Sequence, residues 1–144
     1  MMAKRRFGIS IPQNLAEALD KLASRLGVSR SELVALALRE FLHDHSHYLY
    51  EHECTGVIVL VGSEKQQKNV ETLLESYRDI VRAYVHTHTG GKCIEVIIVS
   101  GHSMQIQTLH RKLAEIGCKP RFIPLKDAVW SEGNNASASY AQSA

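Results

Sequence analysis

The sequence predicts an α+β chain of two small domains: an N-terminal β-α-α segment that pairs with a second copy of itself, and a β-α-β-β-α-β domain after it. Three observations carry this. Residues 6–11 alternate apolar and polar with the period of a strand, and two amphipathic helical patterns follow. Between Thr55 and Leu125 the apolar pattern switches between strand and helix in a legible order. A Gly90-Gly91 pair separates two strand patterns that carry histidine and cysteine. The 144 residues suffice for two domains of this size.

In the first segment Phe7, Ile9 and Ile11 point one way and Arg6, Gly8 and Ser10 the other. Pro12 ends the strand, because proline has no N–H for a ladder. Leu15, Leu19, Leu22 and Leu26 then form one helical stripe, and Gly27 suits the left-handed position beyond its end. Ser29 and Glu32 have the spacing of a capping box, opening a second helix whose apolar face holds Leu33, Val34, Ala37, Leu38, Phe41 and Leu42. One strand and two helices cannot close a core, since a lone strand has two unpaired edges. Two copies can, with the strands antiparallel in a ribbon and four helices beneath. The ribbon would show Arg6, Gly8 and Ser10 from each chain, and such a ribbon fits the major groove of DNA. The start of the second helix would offer free N–H groups to a phosphate. The plainer reading is a dimerisation module with a solvated basic tail.

Residues 1–45 are therefore read as one domain and residues 46–53, polar and rich in histidine, as a linker. Strands are expected at 55–62, 80–89, 92–100 and 121–125, with helices at 64–77 and 102–117. This order, over residues 54–125, is the ferredoxin-like plan, of which ACT-type regulatory domains are one variety. One face of such a sheet stays open to another subunit. Residues 126–144, with the run Asn134-Asn135-Ala136-Ser137-Ala138-Ser139, are expected to be disordered.

Composition excludes several classes. No apolar run approaches the roughly 20 residues of a membrane span, and no apolar stretch follows the basic Met1–Arg6 as in an export signal. Cys54, Cys93 and Cys118 are odd in number and widely spaced, which argues against a disulfide framework and for a reducing, cytoplasmic setting. The net charge of +2 is too small to argue for nucleic acid, but Lys4, Arg5 and Arg6 cluster at one end.

Gly90-Gly91 suits a type I′ turn, in which both central residues have positive φ. That turn places Thr89 opposite Lys92, His88 opposite Cys93, Thr87 opposite Ile94 and His86 opposite Glu95. His86, His88, Cys93 and Glu95 then share one face, with directly opposed Cβ atoms about 5 Å apart. Imidazole and thiolate suit nickel, copper, cobalt or zinc rather than magnesium or calcium. The plain alternative is a half-buried hairpin with polar residues.

The first third, R-R-F-G-I-S-I-P then L-G-V-S-R-S-E-L, resembles the ribbon-helix-helix family. With H-x-H and C-x-E on the hairpin of a following ferredoxin-like domain, residues 4–125 resemble the nickel-responsive repressors (NikR). The resemblance implies a metal-responsive, DNA-binding transcriptional repressor rather than an enzyme, dimeric through its first domain and tetrameric through its second. Its partners would be double-stranded operator DNA and other copies of itself, with no membrane. It implies that Arg6, Gly8 and Ser10 face the bases and that Arg30 and Ser31 clamp a phosphate, although Gly8 has no side chain to read with; Lys65 would touch DNA in the bound form. It implies one Ni(II) per subunit held by His86, His88 and Cys93, with Glu95 anchoring its surroundings. The fourth ligand of the family is a histidine from a neighbouring subunit, and the matching position here is Glu75. The His88–Cys93 spacing is also one residue shorter than the family pattern. The fourth place is thus open among Glu75, water, His102 and His110. Other readings are a related repressor answering to another metal or ligand, or with a degenerate site; a small metalloenzyme with Glu95 as base; and an antitoxin, which would lack a second folded domain.

Overall fold

The computed structural model of the chain describes residues 3–125. It divides between Phe41 and Leu42 into two compact units. The expectation of disorder at 126–144 lies outside the described residues.

The first unit contains α1 (Gln13–Leu26) and most of α2 (Arg30–Asp44). α1 stops at Gly27, whose φ of 68° is left-handed and lets its N–H bond back to Ser24. α2 starts at the expected capping box: the Glu32 N–H donates to Ser29 Oγ at 3.1 Å and the Ser29 N–H to Glu32 Oε2 at 2.9 Å. Of the helical stripes, Ala23 and Leu33 are buried, while Leu15, Leu22, Leu38 and Phe41 stay exposed. Residues 3–12 form no strand in the chain by itself. The expected ladder joins two copies, so one copy leaves its N–H and C=O groups without the opposing strand. Phe7 and Ile9 are accordingly 73% and 59% exposed. An apolar groove lined by Phe7, Ile9, Ile11, Leu19, Val34 and Leu38 lies open in this unit.

The second unit differs from expectation at its entry. The supposed linker contains a helical turn, α3 (Ser46–Leu49), packed on α5 (Ser103–Glu115), with Ser46 and His47 buried. The Ser103 N–H donates to the His52 carbonyl at 2.8 Å and the His52 N–H donates to Ser103 Oγ at 3.0 Å. Residues 46–53 therefore belong to the domain. Their polar composition concealed this, because the His47 ring is buried by packing on Phe122 and His110, with Nε2 3.1 Å from His110 Nδ1.

The remaining elements follow the predicted order: β1 (Glu53–Gly62), α4 (Glu64–Glu75), β2 (Val81–Thr89), β3 (Lys92–His102), α5 and β4 (Arg121–Pro124). The sheet order is β2-β3-β1-β4, antiparallel throughout, which is the ferredoxin-like arrangement. Alternation along β1 and β3 sends Ile58, Leu60, Ile97 and Val99 toward the helices, where Val70, Leu74, Ile106, Leu109, Leu113 and Phe122 complete the core. Their neighbours Val57, Val59, Val96 and Ile98 face the other way, joined by Val85 and Ile123, which are 64% and 49% exposed.

Candidate metal centre

The β2-β3 hairpin turns at Gly90 and Gly91, whose φ values of 58° and 73° are those a type I′ turn requires. The register is the predicted one, with His86 opposite Glu95 and His88 opposite Cys93. Glu95 and Cys93 lie on the helix side of β3, since Leu60 and Gly62 oppose them on β1 within the inward set. His86 and His88 share that side on the outermost strand and stay exposed. One donor atom from each of His86, His88 and Cys93 lies within 4.8 Å of the others. Donors sharing one ion stand roughly 3–4 Å apart when each is about 2.0–2.3 Å from it, so small rotamer changes suffice. The chemistry of the set fits a borderline divalent cation.

The electrostatics favour a cation too. Burial, and then the carboxylates of Glu95, Glu64 and Glu71, push the Cys93 thiol above its ordinary range. A bound metal would take the place of that proton and offset the repulsion. Glu95 is 1% exposed, and burial raises its carboxyl, although the hydroxyl of Tyr84 donates to it. The same burial and bond raise the Tyr84 phenol. Glu95 thus braces Tyr84 behind the histidines, with the rings of Tyr84 and His86 stacked 5.7 Å apart.

α4 supplies residues that sequence reasoning missed. Glu64, Gln67 and Glu71, spaced three and four apart, form one stripe toward the hairpin. Glu64 Oε1 is 3.3 Å from His88 Nδ1. Gln67 Oε1 accepts from His88 Nε2 at 2.8 Å and lies 3.8 Å from Cys93 Sγ; its Nε2 is 3.2 Å from His86 Nε2 and donates to Glu71 Oε1 at 3.0 Å. The stripe reads as a solvated face in E-K-Q-Q-K-N-V-E, and only its position under the hairpin reveals it.

The other named candidates fall elsewhere. Glu75 does not join the cluster; it is exposed and pairs with Arg78. His102 Nδ1 accepts from the Met104 N–H at 3.2 Å and so caps α5. His110 is buried near the opposite edge of the sheet, beside His47 and β4, with its Nε2 3.2 Å from the Pro120 carbonyl. Neither reaches the hairpin, because each ring is already held by its own helix terminus or core. In the first unit Arg6, Gly8, Ser10 and Ser31 are exposed. Arg30 is exposed as well, with its Nε donating to Asp20 Oδ1 at 2.7 Å. Lys65 is exposed early in α4.

Comparison with known proteins agrees with both halves. Residues 5–44 match the ribbon-helix-helix proteins of the copG family, and residues 48–117 match the NikR C-terminal nickel-binding domain. Together they define a class: a DNA-binding, dimerising domain joined to a metal-binding one, which is the plan of a transcriptional regulator and not of an enzyme. The chain belongs to the family of nickel-responsive regulators. Proteins named "Putative nickel-responsive regulator" from Thermococcus onnurineus and Pyrococcus horikoshii are 30% and 31% identical over 116 residues, covering 77% of this chain and 84% of each relative. One of the same name from Dictyoglomus turgidum is 30% identical over 77% of this chain and 86% of its own. Among the described residues, no helix is long and apolar enough to cross a membrane.

Proposed function

We propose that the protein is a nickel-responsive repressor that binds double-stranded operator DNA through a two-stranded ribbon and senses the metal at the β2-β3 hairpin. The observation that carries this is the convergence of His86, His88 and Cys93 donor atoms within 4.8 Å on one face of a glycine-turned hairpin. His86, His88 and Cys93 would hold Ni(II), and Glu95 would keep Tyr84 and the strand beneath them in place. The ion would supply a fixed link between β2, β3 and whatever completes its shell.

On the DNA side, Arg6 and Ser10 would read base edges from the ribbon, with Gly8 allowing close approach, while Arg30 and Ser31 at the start of α2 would take a phosphate. Arg30 would exchange Asp20 for that phosphate. Two apolar surfaces support the assembly. The open groove of the first unit suits the strand and helices of a twin, giving a dimer. The outward sheet face around Val57, Val85, Ile98 and Ile123 suits a second domain pairing, giving a tetramer.

Control requires the metal to bind one arrangement of these domains better than another. The test is a pair of isotherms on duplex recovered from a randomised pool, measured with and without Ni(II) at one salt concentration. Tighter binding with the metal supports the reading; equal affinity overturns it.

A further inference from the structure

We infer that the carboxamide of Gln67 is the fourth donor of the metal centre, supplied by the same chain as His86, His88 and Cys93. This rests on the reading of that triad as a metal site. Gln67 alone among the described α4 side chains bonds or closely approaches all three members: His88 Nε2 at 2.8 Å, Cys93 Sγ at 3.8 Å and His86 Nε2 at 3.2 Å. Two of these contacts are made by Oε1, the atom able to bind a cation. Separations of 2.8 and 3.8 Å approximate those between donors already sharing an ion, roughly 3–4 Å. Its position is prepared from both sides. Glu71 accepts from Nε2 at 3.0 Å, which fixes the amide with its oxygen toward His88 and Cys93. α4 itself is anchored one residue earlier, where Gln66 Oε1 accepts from the Ser63 N–H at 2.7 Å and Gln66 Nε2 donates to the Ile116 carbonyl at 3.1 Å.

The alternative, Glu75, is two helical turns further along α4 and already pairs with Arg78. A neutral amide oxygen suits a site already surrounded by Glu64, Glu71 and Glu95, where another carboxylate adds repulsion when the metal is absent. Two imidazoles, a thiolate and a weak amide oxygen also form a donor set accepted by cobalt, copper and zinc. Gln67 would thus bring the donors supplied by one chain to four.

The experiment titrates full-length protein separately with Ni(II) and Co(II), following thiolate-to-metal and ligand-field absorption. The chains compared are the native one, Gln67→Leu, Gln67→Glu, Glu75→Gln and Cys93→Ala. Gln67→Leu is expected to weaken binding by about ten-fold or more and to shift the ligand-field bands, while Glu75→Gln changes neither. Gln67→Glu keeps an oxygen donor, so it is expected to retain binding with shifted bands. Unchanged bands in both Gln67 variants, or a response confined to Glu75→Gln, would overturn the proposal while leaving the triad standing. Should Gln67→Leu fail to fold, the bands of Gln67→Glu decide. Native affinity in Cys93→Ala would remove the metal centre itself, and the Gln67 role with it.

Discussion

Gly90 and Gly91 let two short strands place four polar side chains on one face. Position 91 has φ of 73°, which costs an L-residue about 1–2 kcal/mol. Gly91→Val is therefore expected to lower unfolding free energy by about that much and to weaken metal binding by disturbing the register. Urea denaturation and a metal titration check both, and native values in each would contradict the assigned turn. Near the opposite edge of the sheet His47 behaves oppositely to an exposed histidine. Burial, then the neighbouring His110, His45 and His52, lower it from 6.5 to about 4, against a weak opposing bond from the Asp44 backbone. His47 Nε2 lies 3.1 Å from His110 Nδ1, and the ring packs edge-on against Phe122. The native state keeps this ring neutral, while the unfolded chain takes a proton below about pH 6.5. Stability is thus fully present above that pH and falls as the pH drops toward 4, by up to about 3 kcal/mol. The urea midpoint is expected to fall between pH 7 and pH 5 in the native protein and to fall less in His47→Leu. At this scale the hairpin ligands were legible, because a period of two and a glycine turn fix which residues share a face. Gln67 and His47 were not, since their partners lie 19 to 63 residues away in sequence.

The elements differ in how much of their definition is local. α2 is defined by neighbours: Ser29 and Glu32 satisfy each other's backbone N–H groups, so the sequence predicts its start. Ser29→Ala is expected to cost about 1 kcal/mol, read as a lowered midpoint in thermal or urea unfolding; no change would show that the cap is dispensable. The sheet elements were legible in order and nearly in extent, because buried strands carry uninterrupted apolar runs such as Val57–Val61. α3 was not legible, because nothing local requires a helical turn at Ser46–Leu49; packing against α5 does. The strand expected at 6–11 presents the reverse case. Its pattern is clear, but its hydrogen bonds would be made to a second copy, so one chain shows the alternation without the ladder.

At the scale of the whole molecule, the proposed assembly would cover two apolar surfaces that one chain leaves open. Replacing Ile9 with Glu sets charges together where two ribbons would meet, so Ile9→Glu is expected to abolish the N-terminal dimer and DNA binding together. Sedimentation at micromolar concentration and a duplex-binding isotherm read this; native mass and affinity would remove the twin from the account. Under the proposed function, metal on the hairpin controls attachment of the N-terminal ribbon to DNA. The measurement that addresses it most directly is the affinity of native and Cys93→Ala protein for the same selected duplex, both at one Ni(II) concentration that saturates the native protein and both shown by circular dichroism to be folded. The expected result is tight, salt-dependent binding by the native protein and weak, nickel-independent binding by Cys93→Ala. Equal affinity of the two for that duplex would contradict it.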